Sequence, residues 1–174
     1  MARIGKRDGE RPLLLLDVDG VLCPFEGDMP STRRVGPEGY ELVDLPGDGH
    51  ERSLWISRAN AARLRRLGRA FEMVWATGWG DSANRVIGPL HELDELAVIE
   101  LEFSPGPTWK LPSIGEYVGD ERPCAWIDDN LGEDAELWAK RRSGPTLLVR
   151  SQPHLGLSDE MVARCLTFAD AVER

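Results

Sequence analysis

Leu13-Leu14-Leu15-Leu16-Asp17-Val18-Asp19-Gly20 joins an apolar run to two acids spaced two apart, and then to a glycine. Four leucines leave a strand no polar face, the pattern of a central strand covered on both sides. At the two-residue period of a strand, Asp17 and Asp19 are expected to leave the sheet on the same side. Like charges side by side at the mouth of such a strand are costly unless a cation or a shared proton relieves them. Gly20 permits a sharp change of direction directly afterwards.

Outward from this strand, at about 12–19, residues 1–11 read as a flexible polar tail and 12–174 as one domain. The segment at about 21–56 is rich in Gly, Pro and charge and predicts a β-hairpin flap. Its strand pieces are Tyr40–Val43 and Ser53–Ile56, with Gly47, Asp48 and Gly49 as turn residues. Ser57 is expected to cap a helix to about Arg69, with Ala61, Leu64 and Leu67 on its apolar side. Ala70–Ala76 reads as a second strand. Asp81 is expected to cap a helix ending near Leu90 or Leu93, and Leu96–Leu101 is a third strand. A short helix near Ser113–Val118, a strand at Cys124–Ile127, a helix at Glu133–Arg142 and a strand at Thr146–Arg150 follow. Ser158 opens a last helix to about Val172. Strands alternating with helices predict a doubly wound, Rossmann-like α/β fold with a parallel sheet of about five strands.

The chain has 174 residues, 41% of them apolar and 29% charged, as in an ordinary soluble domain. No apolar run approaches the roughly 20 residues that span a bilayer. The run after the basic tail is too short for a secretory segment, so a cytoplasmic protein with no membrane association is expected. Cys23, Cys124 and Cys165 are odd in number and lack metal-type spacing, which predicts reduced thiols. The net charge of -9 argues against indiscriminate binding to nucleic acid or anionic membrane. Arg58, Arg63, Arg65, Arg66 and Arg69 read as the solvated face of one helix, and His50, His91 and His154 show no ligand spacing. Trp75 and Trp126 are core candidates. Trp79 and Trp109 adjoin chemically interesting residues and are read as packing or as stacking groups.

In a doubly wound sheet, ligands bind outside the carboxyl ends of the strands. Those ends carry Asp17 and Asp19, Thr77 and Gly78, and Asp128 and Asp129. Lys110 lies on the approach between the third and fourth strands, and it is one of three lysines in the chain. Carboxylates, a hydroxyl and an ammonium at one sheet edge suit Mg²⁺ together with a phosphate.

These residues, in this order, resemble the four motifs of the haloacid dehalogenase (HAD) superfamily: Asp17-Val-Asp19-Gly, Thr77 after an apolar strand, Lys110 before a short helix, and Ile127-Asp128-Asp129. The resemblance spans about residues 12–150. Trp75-Ala-Thr77-Gly-Trp79 and Ile127-Asp-Asp-Asn130 look most like a small bacterial branch related to the HAD domains of RNA-repair proteins. The resemblance implies that Asp17 is the nucleophile, forming an aspartyl-phosphate. Asp19 would be the acid and then the base, with its backbone carbonyl on Mg²⁺. It implies that Thr77 bonds a phosphoryl oxygen, that Lys110 neutralises the phosphate and Asp17, and that Asp129, with Asp128, holds Mg²⁺. An acid at position 19 is the mark of the phosphatases of this superfamily as against its dehalogenases.

Neither the flap nor the interval from Trp79 to Trp109 has room for a large cap domain. An open site follows, suited to a bulky phosphorylated substrate or to a lid from another subunit of a homo-oligomer. Arg33 and Arg34 in the flap are candidates to meet substrate phosphate, and a solvated hairpin tip is the plainer account of them. A nucleic-acid end or a nucleotide is the first substrate expectation. Small metabolites, phosphoproteins and phosphotransfer to an alcohol are the alternatives, and a phosphate-binding regulatory module without turnover is a rival of another class.

Overall fold

The computed structural model describes residues 11–25, 36–45 and 52–173. Five parallel strands form the sheet: β1 (Leu13–Leu16), β4 (Glu72–Trp75), β5 (Ala97–Val98), β6 (Cys124–Asp128) and β7 (Thr146–Arg150). Their order across the sheet is β5-β4-β1-β6-β7. The chain builds outward from β1 to β4 and β5, then crosses back to lay β6 and β7 on the other side. Strand order therefore reverses beside β1, the switch point at which doubly wound sheets open a ligand crevice. The expected Rossmann-like α/β architecture is the one observed.

All four leucines of β1 are buried, and they divide by parity. Leu14 and Leu16 enter one core with Leu64 and Leu67 of α1 (Ala59–Ala70) and Val162 and Cys165 of α5 (Asp159–Val172). Leu13 and Leu15 enter a second core with Ile114 of α3 (Leu111–Val118) and Ala135 of α4 (Glu133–Arg141). An apolar run with period-two side chains thus feeds a helical layer on each face. The separate antiparallel hairpin pairs β2 (Glu41–Leu45) with β3 (Arg52–Ile56). Among the described residues, neither the 21–56 interval nor the 79–109 interval contains a separately folded lid. No described helix is long and apolar enough to cross a membrane.

Several local expectations are corrected. β1 ends at Leu16 because the chain turns away: the Val18 carbonyl accepts from the amides of Val21, Leu22 and Cys23. α1 begins after Arg58, which makes no side-chain cap, and Ser57 instead gives its carbonyl to the Asn60 amide. Asp81 pairs with Arg85 rather than capping a helix. The segment after it is a π-helical turn, Ala83–Ile87, running into the short α2 (Gly88–Leu90). Pro89 lacks an amide hydrogen, so a regular α-helical ladder cannot continue there. The third strand shrinks to β5 because the Asn84 side chain takes both backbone groups of Leu96. By contrast, Ser158 caps α5 through the Met161 amide as expected. Arg63, Arg65 and Arg66 of α1 pair with Asp159 and Glu92. The three cysteines are free and buried.

Candidate functional site

β1 and β6 are neighbours in register, with Leu16 opposite Ile127, so the residues following each strand meet at one edge. The Asp17 amide continues the ladder to the Ile127 carbonyl at 3.1 Å, which fixes its backbone against β6. Asp17 and Asp128 are both buried. Between them lies Lys110, 4% exposed, with its Nζ 2.6 Å from Asp17 Oδ2 and 2.8 Å from Asp128 Oδ2. Oxygens of Asp17, Asp128 and Asp129 all lie within 4.8 Å of one another.

Asp128 is fully engaged. Its Oδ1 accepts from the Asn130 amide, while its Oδ2 accepts from Lys110 and from Trp126 Nε1 at 3.1 Å. Residues 126 and 128 share a strand face, so the Trp126 indole reaches the carboxylate two positions on. Asp17 Oδ1 accepts from the Val18 amide at 2.8 Å. Asp129 is half-buried and stands over Gly20, where an added Cβ would lie 2.7 Å from Asp129 Oδ2. Gly20 also has φ +72, a backbone conformation that disfavours side chains.

Burial and the neighbouring Asp17 charge push the Asp128 carboxyl up to about 7. The same two causes raise Asp129. Burial works against the Lys110 ammonium, but Asp17 and Asp128 hold it above the usual lysine range. Three acids compete for one cation. With all three ionised, the cluster retains two negative charges in a mostly dry setting. An all-oxygen donor set with that residual charge fits one hard divalent cation.

Lys110 immediately precedes α3, on a loop pinned from behind. The Thr108 hydroxyl donates to Asp134 Oδ1 at 2.7 Å and accepts from the Gly132 amide at 2.6 Å, and the Thr108 amide donates to Asp134 Oδ2. Thr77 is buried after β4, and its hydroxyl oxygen faces the Trp79 amide at 3.4 Å. Gly78 is exposed, with open space where a Cβ would stand.

Asp17, Lys110, Asp128 and Asp129 come together as the sequence leads one to expect. The Asp19 carboxylate is not part of the cluster. Because β1 stops at Leu16, Asp19 is carried out on the turn, exposed, and its Oδ2 accepts from Trp79 Nε1 at 3.0 Å. Arg33 and Arg34, the turn residues Gly47, Asp48 and Gly49, and residues 1–10 lie outside the described residues. Trp109 stacks on Phe103, ring centroids 6.4 Å apart, and its ring centroid is 5.7 Å from Lys110 Nζ. Sequence reasoning missed the Trp126–Asp128 bond, which the strand period could have revealed. It also missed the Thr108–Asp134 latch, which spans 26 residues and leaves no local signal. Compared with known proteins, the chain matches no protein-family model and no curated protein.

Proposed function

We propose that the protein is a Mg²⁺-dependent phosphomonoester hydrolase of the haloacid dehalogenase type, minimally capped, acting through an aspartyl-phosphate on Asp17. The observation that carries this reading is the buried Lys110 ammonium bridging Asp17 and Asp128, with Asp129 as a third carboxylate in the cluster. A carboxylate that attacks a phosphate dianion meets strong repulsion, and a preorganised cation beside the attacking oxygen offsets it.

Asp17 attacks phosphorus, Asp19 protonates the leaving oxygen and later takes a proton from the hydrolytic water, and the Thr77 hydroxyl donates to a phosphoryl oxygen. Asp17 and Asp129 would hold Mg²⁺, which would supply charge neutralisation at the phosphoryl oxygens. Asp128 has its oxygens committed to Lys110, Trp126 and Asn130 and serves to hold the lysine. A nucleic-acid end or a nucleotide is the substrate class proposed first, in keeping with the lack of a separately folded lid among the described residues, and a cytoplasmic setting is proposed with it.

The test is phosphate release from p-nitrophenyl phosphate with Mg²⁺, with EDTA, and by Asp17→Asn. Turnover that needs both the metal and Asp17 supports the reading. Turnover that survives EDTA, or that Asp17→Asn retains, contradicts it.

A further inference from the structure

Asp19 has a backbone that is fixed and a side chain that is exposed. The Val18 carbonyl and the Gly20 amide, which bonds the Cys23 carbonyl at 2.9 Å, lock the turn on either side of it. Its carboxylate is exposed and is not one of the three that cluster around Lys110, and a side chain from another strand end meets it: Trp79 Nε1–H donates to Oδ2 at 3.0 Å.

The donor is itself anchored. Trp79 lies half-buried against the core that includes Leu16 and Val18. Its amide faces the Thr77 hydroxyl oxygen, its carbonyl accepts from the Ser82 amide, and the turn closes through the Gly80 amide on the Thr77 carbonyl. An indole N–H donates only and does not titrate with a carboxylate, so it orients an acid without exchanging protons with it. A solvated aspartate without such a donor samples several rotamers, and proton transfer in a transition state needs one of them.

We propose that Trp79 is a positioning residue that holds the Asp19 carboxylate in the geometry for proton transfer to the leaving group, and thereby sets how well the enzyme cleaves esters of poor leaving groups. This rests on the phosphatase reading above. In the first step the Asp17 oxygen–phosphorus bond forms and the phosphorus–oxygen bond to the leaving group breaks. The Asp19 proton passes to the departing oxygen. An alkoxide leaving group requires that proton, whereas a dinitrophenolate departs without it. Misplacing the acid therefore taxes one class of ester and spares the other.

The experiment compares kcat/KM of wild type and Trp79→Phe on an alkyl phosphate, such as glycerol phosphate, and on 2,4-dinitrophenyl phosphate. The parameter kcat/KM reports steps through leaving-group departure and so excludes the later hydrolysis. Phe keeps an aromatic ring at the position but removes the N–H donor together with part of the indole bicycle, and the dinitrophenyl ester reads the packing share of the loss. The expected result is a loss of about 10- to 100-fold on the alkyl ester, in the range of a misplaced general acid, with little change on the dinitrophenyl ester. Asp19→Asn is expected to show the same pattern more strongly. Equal losses on both esters mark a packing defect and overturn the inference alone, as does an unchanged alkyl rate. A wild-type protein that turns over neither ester overturns the phosphatase reading and this inference with it.

Discussion

Lys110 Nζ stands 2.6 Å from Asp17 Oδ2, and both side chains are almost wholly shielded from solvent. Asp17 follows β1 and Lys110 precedes α3, so the contact joins two loops at the carboxyl edge of the sheet. Breaking one half of such a pair leaves a buried charge without its partner, and typical losses are about 3–5 kcal/mol. Lys110→Met is therefore expected to destabilise the metal-free protein by that order in urea unfolding at neutral pH. The deficit is expected to be largest at alkaline pH and to shrink as pH falls toward about 7, because the Lys110 ammonium holds the Asp128 carboxyl down and its loss lets that acid become neutral at higher pH in the variant than in wild type. A deficit independent of pH would contradict the charge argument.

Gly20→Ala places a methyl group 2.7 Å from Asp129 Oδ2 and forces an alanine into positive φ. The backbone cost is about 1–2 kcal/mol. On the proposed phosphatase function, the displaced carboxylate is expected to raise the Mg²⁺ concentration needed for half-maximal activity by about 10-fold or more, the scale on which disturbed metal sites weaken. Gly78→Ala serves as the stability contrast: its surroundings are open, and its stability change is expected to stay within about 0.5 kcal/mol. Equal thermal shifts and Mg²⁺ titrations for wild type and Gly20→Ala would count against this account.

Thr108→Val deletes a hydroxyl that both donates to Asp134 and accepts from Gly132. The Gly132 amide loses its partner, a change worth about 1–3 kcal/mol. The double variant with Asp134→Ala is expected to be less destabilised than the sum of the two singles, because both remove the same latch. Strict additivity in a chemical-denaturation cycle would show that the latch does not couple them.

His91 is buried, and neither ring nitrogen has a hydrogen-bond partner among the described residues. Burial lowers its pKa to about 4, against an ordinary 6.5. Between these values the unfolded chain binds more protons than the folded one, so this histidine's contribution to stability is lost as pH falls through the window. The stability of wild type minus that of His91→Leu should therefore rise by about 3 kcal/mol from pH 4 to pH 7. Asp128 opposes this in the same window, since its raised pKa makes stability fall as pH rises. Wild type alone is thus expected to show a shallower profile than the variant. Parallel stability curves for the two proteins would refute the assignment.

The sheet and the cluster at its edge were legible because they rest on local, periodic signals. The four leucines of β1 and the apolar run Cys124–Ile127 specify buried parallel strands, and each ends in acids that the fold must bring together. What escaped the sequence depends on contacts across the fold. The end of β1 is set by three amides converging on the Val18 carbonyl, a turn with no composition signal of its own. That turn separates Asp19 from Asp17, which strand periodicity alone would keep together. The shortening of β5 reflects the Asn84 side chain occupying Leu96, twelve residues away. Ser57 and Asp81 carry good capping side chains, but tertiary packing and an ion pair to Arg85 employ them otherwise.

The central claim is that Asp17 carries the phosphoryl group during turnover. Rapid acid quenching of the wild-type protein with p-nitrophenyl phosphate and Mg²⁺, followed by peptide mass analysis, tests it most directly. The account predicts that the peptide containing Leu13–Gly20 gains the mass of one phosphoryl group, located on Asp17 and absent from Asp17→Asn. Steady turnover with no phosphorylated peptide when chemistry is caught in a single turnover, or with the group on another residue, would contradict it.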